Sequence, residues 1–202
     1  MCIRDRINSL FSYFEGEINY TLAGYVCKVL SMLLTKKPTA MLKFALDEKH
    51  RASILNHIES RSVSEFVTKI LTFENNEFLE ERTTFYKEII TKLGVNDEIF
   101  VLSNLSACVT ETVEKCVASL KSNTPIKEFS GIFFNPDDIT VIINNVMSEF
   151  ENVSVYNAPI LLTYLTNVPL NAPESEQLLK NFQKILESFI EKASEKLKVT
   201  RE

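Results

Sequence analysis

Residues 173–198, PESEQLLKNFQKILESFIEKASEKLK, decide the fold class of this chain. Their apolar side chains recur at steps of three and four residues, whereas Lys, Glu, Gln and Ser fill the other positions. The main stripe consists of Leu178, Phe182, Ile185, Phe189, Ala193 and Leu197, and Leu179, Leu186 and Ile190 widen it. A stripe with this period predicts an amphipathic α-helix that buries one broad face.

The helical period returns along most of the chain. It predicts helices near 8–15, 19–35, 38–48, 50–60, 63–74, 77–93, 97–121, 136–150, 157–167 and 174–198. The longest irregular stretch is 122–134, and most other connections are short, so we expect successive helices to lie antiparallel. Only four glycines occur in 202 residues, and a β-rich chain of this length needs more turn glycines. We therefore predict an all-α fold, an armadillo- or HEAT-like solenoid of antiparallel helix hairpins.

Two local signals place the helix starts. Ser62 and Glu65 have the S-x-x-E spacing of a capping box. The triplet Asn157-Ala158-Pro159 suits a helix start with proline in the first turn. The segment 19–35 is apolar on nearly all sides, so we expect other elements to cover it on more than one face.

Composition and charge limit the classes of function. The net charge is −5, which gives no general attraction to nucleic acid. No apolar run reaches the length of a membrane span. The four cysteines (Cys2, Cys27, Cys108 and Cys116) form no C-x-x-C pair, so we interpret them as reduced packing residues of a cytosolic protein. Residues 1–6 differ in character from the rest of the chain, and we interpret them as a non-native leader.

Motifs for catalysis are missing from the sequence. It contains no P-loop, G-x-G-x-x-G, G-x-S-x-G or H-E-x-x-H pattern. His50 and His57 lie seven residues apart and lack a third ligand at metal-binding spacing, so we interpret them as packing histidines. An acid/base or ligand pair is the alternative. We predict no catalytic residue, no metal site and no cofactor.

Charge is unevenly distributed between two neighbouring stretches. Residues 28–61 carry seven basic and three acidic side chains, and residues 62–98 carry four basic and eight acidic ones. Such an asymmetry favours a polarised surface for a protein partner, and ordinary solubilising charge is the alternative interpretation.

A resemblance to a known family starts at residues 22–38, LAGYVCKVLSMLLTKKP. It continues through 41–46 (MLKFAL), 55–58 (LNHI), 62–67 (SVSEFV) and 69–71 (KIL). In this order the segments resemble the opening signature of the SAPS family. Similarity continues more loosely to residue 198, without the tryptophan that the family has near Phe78-Leu79.

The resemblance implies both a fold and a function. SAPS proteins are helical-repeat regulatory subunits of protein phosphatase 6-type Ser/Thr phosphatases. By resemblance, residues 7–202 form the N-terminal part of a longer, truncated SAPS-like domain. This part binds the phosphatase catalytic subunit and directs its substrate choice without catalysing a reaction. Further adaptor proteins are additional expected partners, and nucleic acid and membrane are not. The expected location is the cytoplasm, with a nuclear pool also compatible.

Four basic residues are the predicted partner contacts. Lys36 and Lys37 lie at a helix turn, and Arg51 and Arg61 are near them in sequence. Turns between hairpin helices line one edge of a solenoid, where a partner can reach them. The alternative for the two lysines is stabilisation of a helix C-terminus. For the whole chain, the alternatives are an adaptor for another protein complex and an enzyme or small-molecule binder within a helical bundle.

Overall fold

The computed structural model describes residues 3–75, 77–122, 141–142, 144–146 and 151–167, together with the single positions 180, 183, 187 and 190. Every regular element within these residues is a helix, which confirms the all-α class. We number the α-helices in chain order. They are α1 (Ile3–Phe11), α2 (Tyr20–Lys36), α3 (Pro38–Ala45), α4 (Glu48–Leu55), α5 (Arg61–Leu71), α6 (Leu79–Val95), α7 (Ile99–Ser122) and α8 (Glu151–Asn167). A 3₁₀ helix, Ser12–Glu15, follows α1.

Helices α2 and α5 pack side by side and run parallel. A Cβ on Gly24 would lie 3.5 Å from the Ser62 side chain. One to two turns further along both helices, Lys69 Nζ donates to Ser31 Oγ at 3.3 Å. The contacts follow the same order in both helices, so the chain must reverse between them, which it does through α3 and α4.

Helix α7 continues this arrangement on the other side of α5. Ser64 Oγ donates to the carbonyl of Asn104 at 2.9 Å, and the Cys108 thiol is hydrogen-bonded to Thr68 further along. These pairs again follow the same order, so α5 and α7 are parallel, with α6 as the return helix. Helix α8 packs on α7, where Ser106 Oγ donates to the carbonyl of Tyr156. We call the succession α2, α5, α7, α8 the helix row.

Local sequence explains where several helices begin. The side chain of Asn19 caps α2 by accepting from the backbone N–H groups of Thr21 and Leu22. Pro38 occupies the first turn of α3, where its missing N–H costs nothing. Asp47 caps α4 by accepting from the N–H of Lys49.

The capping box predicted at Ser62 and Glu65 is wrong. Helix α5 begins one residue before Ser62, and Ser60 occupies the N-cap position. Glu65 instead pairs along the helix surface with Arg61 at 3.1 Å. The S-x-x-E spacing here therefore falls within the helix, where it has no capping function.

The start predicted for the helix at 157 is also wrong. Helix α8 begins at Glu151, and Pro159 lies inside it. Proline removes one helical hydrogen bond, but the preceding turn is fixed by burial. Asn157 is fully buried, and its Nδ2 donates to the carbonyl of Val153 at 2.7 Å.

Other boundaries differ by a few residues from the predicted ones. The first helix starts at Ile3, so residues 3–6 of the predicted leader form its first turn, and the hypothesis of a non-native leader stays a prediction. Helix α4 ends at Leu55, five residues before the predicted end. Residues 123–134 of the predicted irregular stretch and most of the predicted helices 136–150 and 174–198 lie outside the described residues.

Helix α5 is central to the core. Seven of its 11 residues are buried, among them Phe66, Ile70 and Leu71. By contrast, the expectation that α2 is covered on several faces is wrong. Only four of its 17 residues are buried, and Leu22, Tyr25, Val29 and Met32 remain exposed. The overlying elements contact one side of α2 and leave its outer apolar side in solvent.

Candidate protein-binding face

The N-terminal ends of α2, α5 and α7 border an open groove of about 370 Å³. Two aromatic side chains line it, Tyr20 with 63% and Phe100 with 70% of its surface exposed. Arg61 lies in the same lining, along with Glu59, Ser60, Ser62 and Glu98. We call this feature the Arg61 groove. Exposed aromatic side chains beside an arginine are the types that most often dominate protein–protein binding energy.

Arg61 is available for a partner. Its side chain is 86% exposed, and Nε contacts Glu65 Oε1 at 3.1 Å. An exposed ion pair of this kind contributes about 0.3–0.5 kcal/mol, so a partner carboxylate can displace it at little cost. The groove thus combines one accessible cation with two apolar rings.

Two further grooves follow the helix row. The first, about 530 Å³, lies between α2 and α5, and the second, about 590 Å³, lies between α5, α7 and α8. Glu65 and Lys69 line both grooves and form the ridge between them. Most other lining residues are small or polar, for example Ser31, Ser64 and Thr110. Both grooves are open to solvent, unlike the enclosed pockets that hold small molecules.

The structure does not bring the four predicted contact residues together. Lys36 and Lys37 are exposed at the C-terminal end of α2, where Lys37 is the C-cap residue. Arg61 lies at the N-terminal end of the parallel helix α5. Because α2 has 17 residues, about 25 Å separates these two ends.

Arg51 has a structural role in the fold, and its predicted role as a partner contact stays a prediction. It is only 8% exposed. Its guanidinium forms an ion pair with Glu88 of α6, with Nη2 at 2.9 Å and Nε at 3.1 Å from the carboxylate, and Nη1 donates to the carbonyl of Leu46. Hydrogen bonding to Glu88 raises the pKa of Arg51. These bonds join α4 to α6 and to the carbonyl of Leu46.

A second buried arginine was not identified from the sequence. Arg82 is fully buried, and Nη1 donates to the carbonyls of Phe73 at 3.0 Å and Asn75 at 2.9 Å. Burial lowers its pKa to about 10, and no carboxylate of the described residues lies within ion-pair distance. The loop before α6, which includes Phe78 in the left-handed region at φ 57°, is held by these bonds. An arginine within a helical pattern gives no sign that it caps loop carbonyls.

The two histidines agree with the packing interpretation. His50 Nδ1 lies 2.8 Å from the carbonyl of Phe44, and His57 Nε2 lies 3.0 Å from that of Phe14. Both rings are half-buried against aromatic neighbours. Backbone contacts therefore occupy one nitrogen of each ring.

The cysteines of the described residues are buried thiols outside any disulfide. Burial raises the pKa of Cys27 and Cys116 to about 12 and that of Cys108 to about 11. Such thiols are poor nucleophiles. In the part of the chain that the structure describes, His, Cys, Asp and Glu form no group of three that could hold a metal ion.

Comparison with known proteins assigns no family: no family model, curated protein or solved structure matches this chain. Among the described helices, none combines the length and apolar character that crossing a bilayer requires.

Proposed function

We propose that this chain is a non-catalytic regulatory scaffold that binds the catalytic subunit of a protein phosphatase 6-type Ser/Thr phosphatase. The observation that carries the proposal is the helix row, in which α2, α5 and α7 run parallel, are joined by return helices and leave an open, grooved face. This arrangement is typical of armadillo- and HEAT-like solenoids, whose rigid extended surfaces bind other proteins. The SAPS resemblance of residues 22–71 supplies the identity of the partner.

The Arg61 groove is the proposed main contact. A partner side chain inserted between Tyr20 and Phe100 would bury two rings that solvent now surrounds. An acidic residue of the partner would pair with Arg61 in place of Glu65. Truncating an aromatic or arginine residue at an interface hot spot costs about 2 kcal/mol or more of binding free energy.

Lys36 and Lys37 are proposed as a second, weaker contact. Both are exposed, and they lie about 25 Å from the Arg61 groove along α2. A globular partner of ordinary interface size spans that distance. Because rim charges act mainly on the association rate, we expect these lysines to affect the speed of binding more than its lifetime.

Co-elution tests the proposal directly. The full chain is mixed with a phosphatase 6-type catalytic subunit, and in parallel with a type-2A catalytic subunit as specificity control, and each mixture is analysed by size-exclusion chromatography. We expect selective co-elution with the first enzyme. Phe100→Ser and Arg61→Glu should each weaken it at least tenfold, and the exposed control Leu162→Gln should leave it unchanged.

Two results would count against the proposal. Equal binding to both phosphatases would favour an adaptor of broader specificity, and absence of binding by a chain of native helicity would remove the phosphatase assignment. Circular dichroism of each variant separates loss of binding from loss of fold.

A further inference from the structure

The seam between α2 and α5 is basic, although the chain as a whole is acidic. The two helices carry four basic side chains and one acidic one, whereas the net charge of the chain is −5. The basic residues are Lys28, Lys36, Arg61 and Lys69, and the acidic one is Glu65. A local excess of positive charge on an acidic protein favours a partner group of negative charge.

Two of these lysines line the open groove of about 530 Å³ between the helices, which we call the α2–α5 groove. Lys28 belongs to α2 and Lys69 to α5, and both are exposed. Lys69 Nζ donates to Ser31 Oγ at 3.3 Å, and Ser31 follows Lys28 by three residues on the same side of α2. The two ammonium groups and the hydroxyl therefore face one stretch of the groove.

The charges of Lys28 and Lys69 are not compensated within the groove. Neither lysine forms an ion pair with a carboxylate of the described residues. Glu65 also lines the groove, but its Oε1 lies 3.1 Å from Nε of Arg61 and is paired there. Two uncompensated positive charges on either side of a hydroxyl match one anion of double charge.

A phosphorylated side chain is an anion of this kind. At pH 7 it carries a charge of about −1.5 to −2 and three strong acceptor oxygens, whereas a carboxylate has a single charge and two oxygens. Both lysines can donate to the phosphoryl oxygens, and so can the hydroxyl of Ser31. The rest of the lining includes the small residues Gly24 and Ser62, which leave room for the backbone of an extended segment.

We propose that the α2–α5 groove binds a phosphorylated serine or threonine of an extended peptide segment. Lys28 and Lys69 contact the phosphoryl group from opposite sides, and Ser31 donates a hydrogen bond to it. In the regulatory scaffold proposed above, this segment belongs to a phosphorylated substrate that the chain holds near the catalytic subunit. The role of the segment as a substrate rests on the proposed function, but the preference of the groove for phosphate does not.

Fluorescence anisotropy of the full chain with a labelled probe is the first test. The probe is a peptide of glycine and alanine with one central phosphoserine, and the controls carry serine or glutamate at that position. At low ionic strength, the phosphopeptide should bind about tenfold more tightly than either control. Inorganic phosphate should compete only at a higher concentration than the unlabelled phosphopeptide, and oligothymidylate should compete less than both.

Three results of this titration would overturn the proposal. Equal binding of the serine peptide would show that the phosphoryl group is not recognised. Equal competition by inorganic phosphate would indicate a site for free anions, and stronger competition by oligothymidylate would indicate a nucleic-acid surface.

Substitutions in the groove test the assigned residues. Lys28→Gln and Lys69→Gln should each weaken phosphopeptide binding about fivefold, because each removes one charge-assisted contact. Lys87→Gln, which removes an exposed lysine of α6, should leave the affinity unchanged. Glu65→Gln should strengthen binding, since it removes a negative charge from the groove. Circular dichroism confirms that each variant is folded, and unchanged affinity in both Lys28→Gln and Lys69→Gln would overturn the assignment.

Co-elution with the phosphatase catalytic subunit separates this inference from the proposed function. The Lys28→Gln, Lys69→Gln double variant should lose phosphopeptide binding and still co-elute like the wild type, because the proposed main contact is the Arg61 groove. Loss of co-elution would show that the α2–α5 groove contacts the phosphatase itself and would overturn the phosphopeptide site. A wild-type chain that binds the phosphopeptide without co-eluting would support the groove and contradict only the phosphatase assignment.

Discussion

Helices α2 and α5 are neighbours in the helix row, but they place their apolar side chains differently. Helix α5 buries seven of 11 residues and presents Arg61, Glu65 and Lys69 to solvent. Helix α2 buries four of 17 and presents an apolar stripe. The core of the described residues thus uses all the apolar surface of α5 and only part of that of α2. Apolar surface that folding leaves exposed on one helix is a sign of association.

The largest difference between α5 and α2 should appear in how much a substitution lowers the free energy of unfolding. Phe66 of α5 is 1% exposed, so Phe66→Ala should lower the free energy of unfolding by about 3–5 kcal/mol through lost burial and a cavity. Met32→Ala on α2 should change it by less than about 0.5 kcal/mol. Urea unfolding of the two variants and the wild type measures both differences. Similar losses for the two variants would show that α2 is as enclosed as α5.

The stability of the fold at alkaline pH tests how well the inner side of α2 excludes solvent from Cys27. Burial raises the pKa of Cys27 to about 12, from an ordinary value of 9.0. A thiol with a raised pKa stabilises the fold fully below pH 9, and this contribution is lost as pH rises from 9 towards 12, because the unfolded state ionises first. Each such thiol lowers the free energy of unfolding by up to about 1.4 kcal/mol per pH unit in that window.

Urea midpoints between pH 8 and 10 measure this loss. The Cys27→Ala variant should show a shallower decline than the wild type, while Cys108 and Cys116 contribute equally to both. Burial lowers the pKa of Arg82 to about 10. Above pH 10, its deprotonation in the folded state makes the free energy of unfolding rise with pH, so the range stops at pH 10. Identical slopes would mean that solvent reaches Cys27.

The seam between α2 and α5 should accept a methyl group. A Cβ on Gly24 would lie 3.5 Å from Ser62 Oγ, which is an ordinary contact. Gly24→Ala should therefore raise the free energy of unfolding by about 0.5–1 kcal/mol, since alanine favours the helix more than glycine does. Denaturant titration provides the value. Destabilisation would show that the two helices approach more closely than the structure indicates.

The smallest effect is expected on the outer side of α5. Arg61→Ala removes an exposed ion pair with Glu65 and should lower the free energy of unfolding by no more than about 0.5 kcal/mol. High salt should reduce the difference further. A loss above about 1 kcal/mol would mean that Arg61 holds the fold together and is not free to bind a partner.

The sequence predicts the helices well because a 3.6-residue period reflects burial on one face. It fails where the outcome depends on contacts distant in sequence. The apolar character of α2 predicts coverage on several faces, but no local pattern distinguishes a covered face from an exposed one. Local rules place Pro159 at a helix start, but it lies inside α8. The turn before it is fixed by burial, which is a tertiary effect that the local sequence does not show.

The basic residues of the candidate site also depend on contacts that are distant in sequence. Lys36, Arg51 and Arg61 look equivalent in the sequence. Arg61 pairs with Glu65 on its own helix, whereas Arg51 pairs with Glu88, 37 residues away, and is buried. The Arg61 groove joins residues from three helices, and its aromatic members, Tyr20 and Phe100, were not singled out. Only the folded structure shows that these residues lie close together.

Hydroxyl-radical footprinting with and without a phosphatase 6-type catalytic subunit tests the central claim most directly, because it measures the exposure of individual side chains. The experiment is done at 1 μM chain, with buried Tyr86 as an internal control for unfolding. We predict that the complex protects Tyr20 and Phe100 severalfold and leaves Tyr86 unreactive in both samples. A stable complex in which Tyr20 and Phe100 keep their full reactivity would contradict the assignment of the Arg61 groove as the binding site.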